Sequence, residues 1–135
     1  MQCRLDTRSL SAVQAIYVGV AQGDFQAVLD LLAPDIIVHQ AAVLPMGGIW
    51  RGRKGFSAMA ETINRAWPGF SVTPTGMFGN GDEVIVLARI SGAAGALDQQ
   101  MIEYWRVRDG QATECRPFYF DPAAAATAAT FKRGI

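Results

Sequence analysis

Glu103 is the residue of this chain best placed to do chemistry. It lies in Leu97-Asp-Gln-Gln-Met-Ile-Glu-Tyr-Trp-Arg-Val107, where strand alternation sets Met101, Glu103, Trp105 and Val107 on one face. A carboxylate on an apolar face is costly to bury, so it either finds a partner or stays protonated. Arg89 can be that partner, because residues 82–91 alternate and put Ile85, Leu87 and Arg89 on one side. Paired with Arg89, Glu103 would stay ionised and hold the guanidinium for an anionic or carbonyl oxygen. Unpaired, it could stay a neutral donor toward an oxyanion. His39, the single histidine, could serve as a general base near neutral pH. Alternation within Ile36-Ile37-Val38-His39-Gln40 places Val38 and Gln40 on one face and His39 on the other. Asp121, ahead of Pro122, is either a turn or cap residue or an acid.

The apolar partners of these groups are bulky. Trp50, Phe56, Met59, Trp67, Phe70, Met101, Trp105 and Tyr119 either line a pocket or close the core, and such a set suits a flat aromatic ligand. One histidine without ligand-spaced cysteines or carboxylates argues against a metal site. Gly47-Gly48 lacks the Gly-x-x-x-x-Gly-Lys pattern of a phosphate loop. No cofactor is expected.

Composition narrows the partners. The 135 residues fit one domain, 1–135. Lys+Arg and Asp+Glu each number 12, and no basic run stands out, so neither nucleic acid nor a membrane surface is an expected partner. Cys3 and Cys115 make no disulfide framework. The N-terminus shows no secretory pattern, and no stretch approaches the roughly 18 apolar residues of a membrane span. A reduced, cytoplasmic protein is the expectation.

Positioning these residues takes helices first and strands afterwards. Leu10, Val13, Ile16/Tyr17 and Val20 mark an amphipathic helix over about 8–21, with Ser9 as N-cap. Gly23 ends it, and Asp24 caps a second helix carrying Phe25, Val28, Leu29 and Leu32, broken at Pro34-Asp35. Residues 36–40 form a β-branched strand and 41–52 a loop. A third helix runs from Arg53 to about Ala66, and Pro68 stops it. Strands follow at about 69–78, 82–91, 97–108 and 112–121, with hairpin turns at Asn80-Gly81 and Asp109-Gly110. The long strands call for bending at bulges. The alanine-rich tail 123–130 is either a short helix or frayed. Helices followed by hairpin-linked strands give an α+β roll.

Tyr17…Gly23-Asp24, Leu31-Leu32-Ala33-Pro34-Asp35, Gly47-Gly48-Ile49-Trp50-Arg51-Gly52, Val107-Arg108-Asp109-Gly110 and Phe118-Tyr119-Phe120-Asp121 follow one another in an order that resembles the nuclear transport factor 2-like superfamily. The closest likeness is to its SnoaL-like (polyketide-cyclase-like) branch. The resemblance implies a cone-shaped α+β roll, with three N-terminal helices packed on a strongly curved antiparallel sheet around an apolar pocket. It also places the Arg89 side of its strand toward that pocket. Ketosteroid isomerase belongs to the same superfamily. By that likeness its phenolic oxyanion donor falls on Tyr17, its carboxylic acid donor on Glu103 and its aspartate base on Gln40, which cannot take a proton from carbon. Three functions stay open: isomerase, cyclase or dehydratase chemistry on a small hydrophobic carbonyl compound, binding of such a compound without turnover, or an interaction module. A homodimer is expected through an outer sheet face made of Ile102, Tyr104 and Arg106 with Val84, Val86, Ala88 and Ile90.

Overall fold

The structure, a computed structural model, describes residues 8–131. Cys3 and the N-terminal segment read above for a leader lie outside the described residues. Helix α1 spans Arg8–Gln22 and buries Val13, Ile16 and Tyr17 of the expected stripe together with Ala12, while Leu10 is half-buried and Val20 exposed. Ser9 falls inside α1, not ahead of it. Gly23 closes the helix in the left-handed region, at φ +70°, and Asp24 caps α2 (Phe25–Asp30) by accepting from the Ala27 N–H. The two helices pack closely because Gly19 has no side chain. A Cβ there would lie 2.9 Å from Val28 Cγ2.

Strand β1 (Leu32–Gln40) starts earlier than the β-branched run suggests and carries Pro34 within it. The segment expected as one long loop contains a short strand, β2 (Gly48–Arg51), paired antiparallel to the end of β1. Helix α3 (Gly52–Ala66) turns Met59, Ile63 and Ala66 inward, and Trp67 follows fully buried. Strands β3 (Ser71–Asn80), β4 (Glu83–Gly92), β5 (Leu97–Arg108) and β6 (Gln111–Tyr119) form a meander. The tail is a short helix, α4 (Pro122–Ala128).

The β5–β6 turn is Asp109-Gly110 as expected, with both residues at positive φ (+51° and +78°), which fits a type I′ turn. The β3–β4 turn sits one residue later than expected, because Asn80 pairs with Glu83 and leaves Gly81-Asp82 to turn. Register shifts leave Thr75 extra in β3, between Pro74 and Gly76, and Thr113 extra in β6, opposite Arg106 and Val107 of β5; the second bulge thus falls on the partner of the long strand, not within it.

The sheet runs β2-β1-β6-β5-β4-β3 among the described residues. It is mixed, not purely antiparallel. The first strand joins the end of the meander in parallel, with Ile37 opposite Glu114 and Val38 opposite Cys115. Six strands in an unclosed sheet, with helices against one face, make an α+β fold of the expected class.

The faces of β4 are the reverse of the expected assignment. Residues directly opposite in an antiparallel pair share a face. Val84 pairs with Trp105, Val86 with Glu103 and Ala88 with Met101, so the Val84, Val86, Ala88, Ile90 row is buried. Ile85, Leu87 and Arg89 lie on the outer side with Ile102 and Tyr104. Among the described residues no helix is long and apolar enough to cross a membrane.

Candidate functional site

A cavity of about 280 Å³ lies between the inner sheet face and the three helices. It is slightly smaller than the roughly 300–1,000 Å³ usual for ligand pockets. Its floor comes from β5 and β6, where Met101 faces Tyr119, Glu103 faces Pro117 and Trp105 faces Cys115. Val38 and Gln40 of β1 and Ile90 of β4 extend the floor. Ile16, Tyr17 and Val20 of α1 and Phe56, Met59 and Ile63 of α3 form the walls. Phe25 of α2 stacks on Phe56 at 6.2 Å between centroids.

Three side chains form one hydrogen-bonded line in this apolar setting. Trp105 Nε1–H donates to the Tyr17 hydroxyl oxygen at 3.1 Å, and the Tyr17 O–H donates to Glu103 Oε1 in a short bond. The Tyr17 and Trp105 rings meet edge to face, 6.2 Å apart. Cys115 Sγ is 4.0 Å from Glu103 Oε2. Among the described residues no cation pairs with Glu103.

Burial pushes the Glu103 carboxyl above its ordinary range, and the bond from Tyr17 offsets part of that rise. Burial also pushes up the Tyr17 phenol, helped by the charge Glu103 would carry, and acts likewise on the Cys115 thiol and the Tyr119 phenol. Every shifted group of this cavity is therefore driven toward its neutral form. Oε1 accepts from Tyr17, and Oε2 accepts weakly from the Cys115 thiol.

The cavity brings together Tyr17, Gln40, Phe56, Met59, Phe70, Met101, Glu103, Trp105 and Tyr119 from the sequence-derived candidates. It excludes Arg89, whose Nε lies 2.7 Å from Asp98 Oδ1 in a half-exposed pair on the outer face. The expected Glu103–Arg89 unit does not exist, because register with β5 turns Arg89 away. His39 also points outward, with Nε2 3.7 Å from Glu114 Oε1, as alternation requires once Gln40 faces in. Asp121 is a cap and not a cavity acid, since its carboxylate accepts the Ala124 N–H of α4 at 3.0 Å. Trp50 lies outside the lining and donates to Met46 O at 2.7 Å. Trp67 lies behind the cavity, donating to Ala125 O at 3.0 Å and backing Tyr119. Cys115 and Pro117 escaped notice in the sequence, although alternation back from Tyr119 points to both. No group of three or more His, Cys, Asp or Glu residues that could hold a metal ion occurs among the described residues.

The SnoaL-like domain model matches residues 13–115, which holds every polar group of the cavity except Tyr119. The chain belongs to the SnoaL-like domain family. A nuclear transport factor 2-like protein of unknown function from Burkholderia pseudomallei is 20% identical, with a TM-score of 0.82 over 93% of this chain and 100% of that one. A nuclear transport factor 2-like protein from Burkholderia thailandensis is 22% identical, with a TM-score of 0.81 over 95% and 98%. TerC, co-crystallised with polyporic acid, is 21% identical, with a TM-score of 0.77 over 86% of this chain and 94% of that one. At these identities the likeness concerns the fold. No curated protein matches this SnoaL-like chain.

Proposed function

We propose that the cavity binds a small, mainly apolar carbonyl compound and that Glu103 acts on it as a neutral acid. The observation that carries this reading is the Trp105–Tyr17–Glu103 line in an apolar cavity, with no cation on the carboxyl. Tyr17 spends its proton on Glu103, so it orients the acid and does not donate to the ligand itself. A proton on Oε2 can then polarise a carbonyl oxygen, and in enolisation the α-proton passes to water, because Gln40 cannot take it. The structurally similar TerC was co-crystallised with an organic compound, polyporic acid, which supports an organic ligand for this fold.

A second reading, binding without turnover, is favoured by one feature. By the likeness to ketosteroid isomerase, Gln40 falls where that enzyme has its aspartate base, and the shifted groups around the cavity are pushed toward neutrality. Glu103 would then anchor a ligand oxygen and do nothing more.

Exchange of the α-protons of 1-tetralone in D₂O, followed by NMR, separates the two readings. Acid chemistry predicts exchange about 10²-fold or more above buffer, lost in Glu103→Gln. Bound tetralone without faster exchange supports the binding reading. Absence of binding contradicts both.

A further inference from the structure

We propose that Gln40 makes the cavity selective for ligands bearing a hydrogen-bond donor, a hydroxyl or N–H, on an otherwise apolar body. This rests on the reading of the cavity as a ligand site and adds a polar anchor separate from Glu103.

Gln40 is the last residue of β1, is 8% exposed and lines the cavity. Its backbone is fixed in the sheet, opposite Gly48 of β2. Its amide Nε2 donates to Met59 Sδ at 3.5 Å. Thioether sulfur is a weak acceptor and no donor, so this contact favours the carboxamide orientation that keeps the oxygen off Met59. The oxygen, Oε1, is buried and has no hydrogen-bond partner, the sole such side-chain oxygen or nitrogen among the described residues. Trp105 and Tyr17 cannot supply the missing donor, because the indole N–H goes to Tyr17 and the phenol O–H to Glu103.

A buried acceptor without a donor is unfavourable, and sites built around one discriminate strongly against ligands of the same shape that lack the donor. A ligand hydroxyl or N–H meets this need directly. Together with Glu103, Gln40 then describes a compound with two polar points, an acceptor toward the acid and a donor toward the amide oxygen.

2-Naphthol and 2-methylnaphthalene test this. They share a two-ring body and nearly the same size, and differ in O–H against CH₃. Dissociation constants for both are measured by calorimetry on the wild-type chain, Gln40→Met, Gln40→Leu and Glu103→Gln, with thermal melts confirming that each variant folds. The expected result is a ratio of the two constants that moves about tenfold or more toward 2-methylnaphthalene in both Gln40 variants. In Glu103→Gln the ratio should move less than in either Gln40 variant. Two alternative substitutions of different shape guard against misfolding of either one. An unchanged ratio in the Gln40 variants overturns the inference. If the ratio moves only in Glu103→Gln, the hydroxyl sits on Glu103, and the cavity reading stands while the role of Gln40 falls. Failure of the folded wild-type chain to bind either compound removes the cavity reading and this inference together.

Discussion

Glu103 shows how surroundings decide what a carboxyl can do. Met101, Trp105, Tyr119 and Pro117 offer it no charge, and Tyr17 offers a single donated hydrogen bond. The raised folded-state pKa gives a definite pH dependence of stability. The native chain holds the proton more tightly than the unfolded chain, whose carboxyl titrates near 4.5. Stability from this group is fully present below that pH and is lost as pH rises through the raised folded value. Thermal melts between pH 4 and pH 8 should therefore show the wild type losing stability relative to Glu103→Gln as pH rises. Parallel profiles for the two chains would mean that the carboxyl is not perturbed. Glu103 and Tyr17 were legible in the sequence because one sits on an apolar strand face and the other on a helical stripe. Arg89 was misplaced because alternation defines two faces and does not say which one is buried.

Pairing between elements resolves that ambiguity. Once Val86 stands opposite Glu103, the whole inward row of β4 follows, and Arg89 must face solvent with Asp98. The helices and the four long strands were readable from periodicity and turn residues, since each depends on neighbours in sequence. The parallel docking of β1 on β6 was not, because it joins residues about 77 apart, such as Val38 and Cys115, through a meander that first has to fold. Strand β2 was missed for a different reason. Its four residues, Gly48–Arg51, begin with glycine and are too short to show alternation, and pairing with β1 is what makes them extended. That pairing also holds Gln40 at the cavity, so the least legible strand helps to position a cavity residue. Cys115 could have been found by counting back in twos from Tyr119.

The molecule as a whole has two contrasting sheet faces. The inner one encloses the cavity, and the outer one shows Ile85, Leu87, Ile102 and Tyr104 with Phe118, which is 57% exposed. We propose that a second copy of the chain covers this outer face, since exposed aromatic and aliphatic side chains there form a continuous row. Light scattering at micromolar concentration should give a dimer mass, and Phe118→Glu should shift it toward the monomer. A monomeric wild type would contradict this assembly. On the inner face, burial in an apolar cavity raises the Glu103 carboxyl above its ordinary range. Carbon-13 NMR of the Glu103 carboxyl carbon across a pH titration tests it most directly. A midpoint above 4.5 that falls when Met59→Ala opens the cavity is the expected result. A midpoint in the ordinary carboxylate range would contradict it.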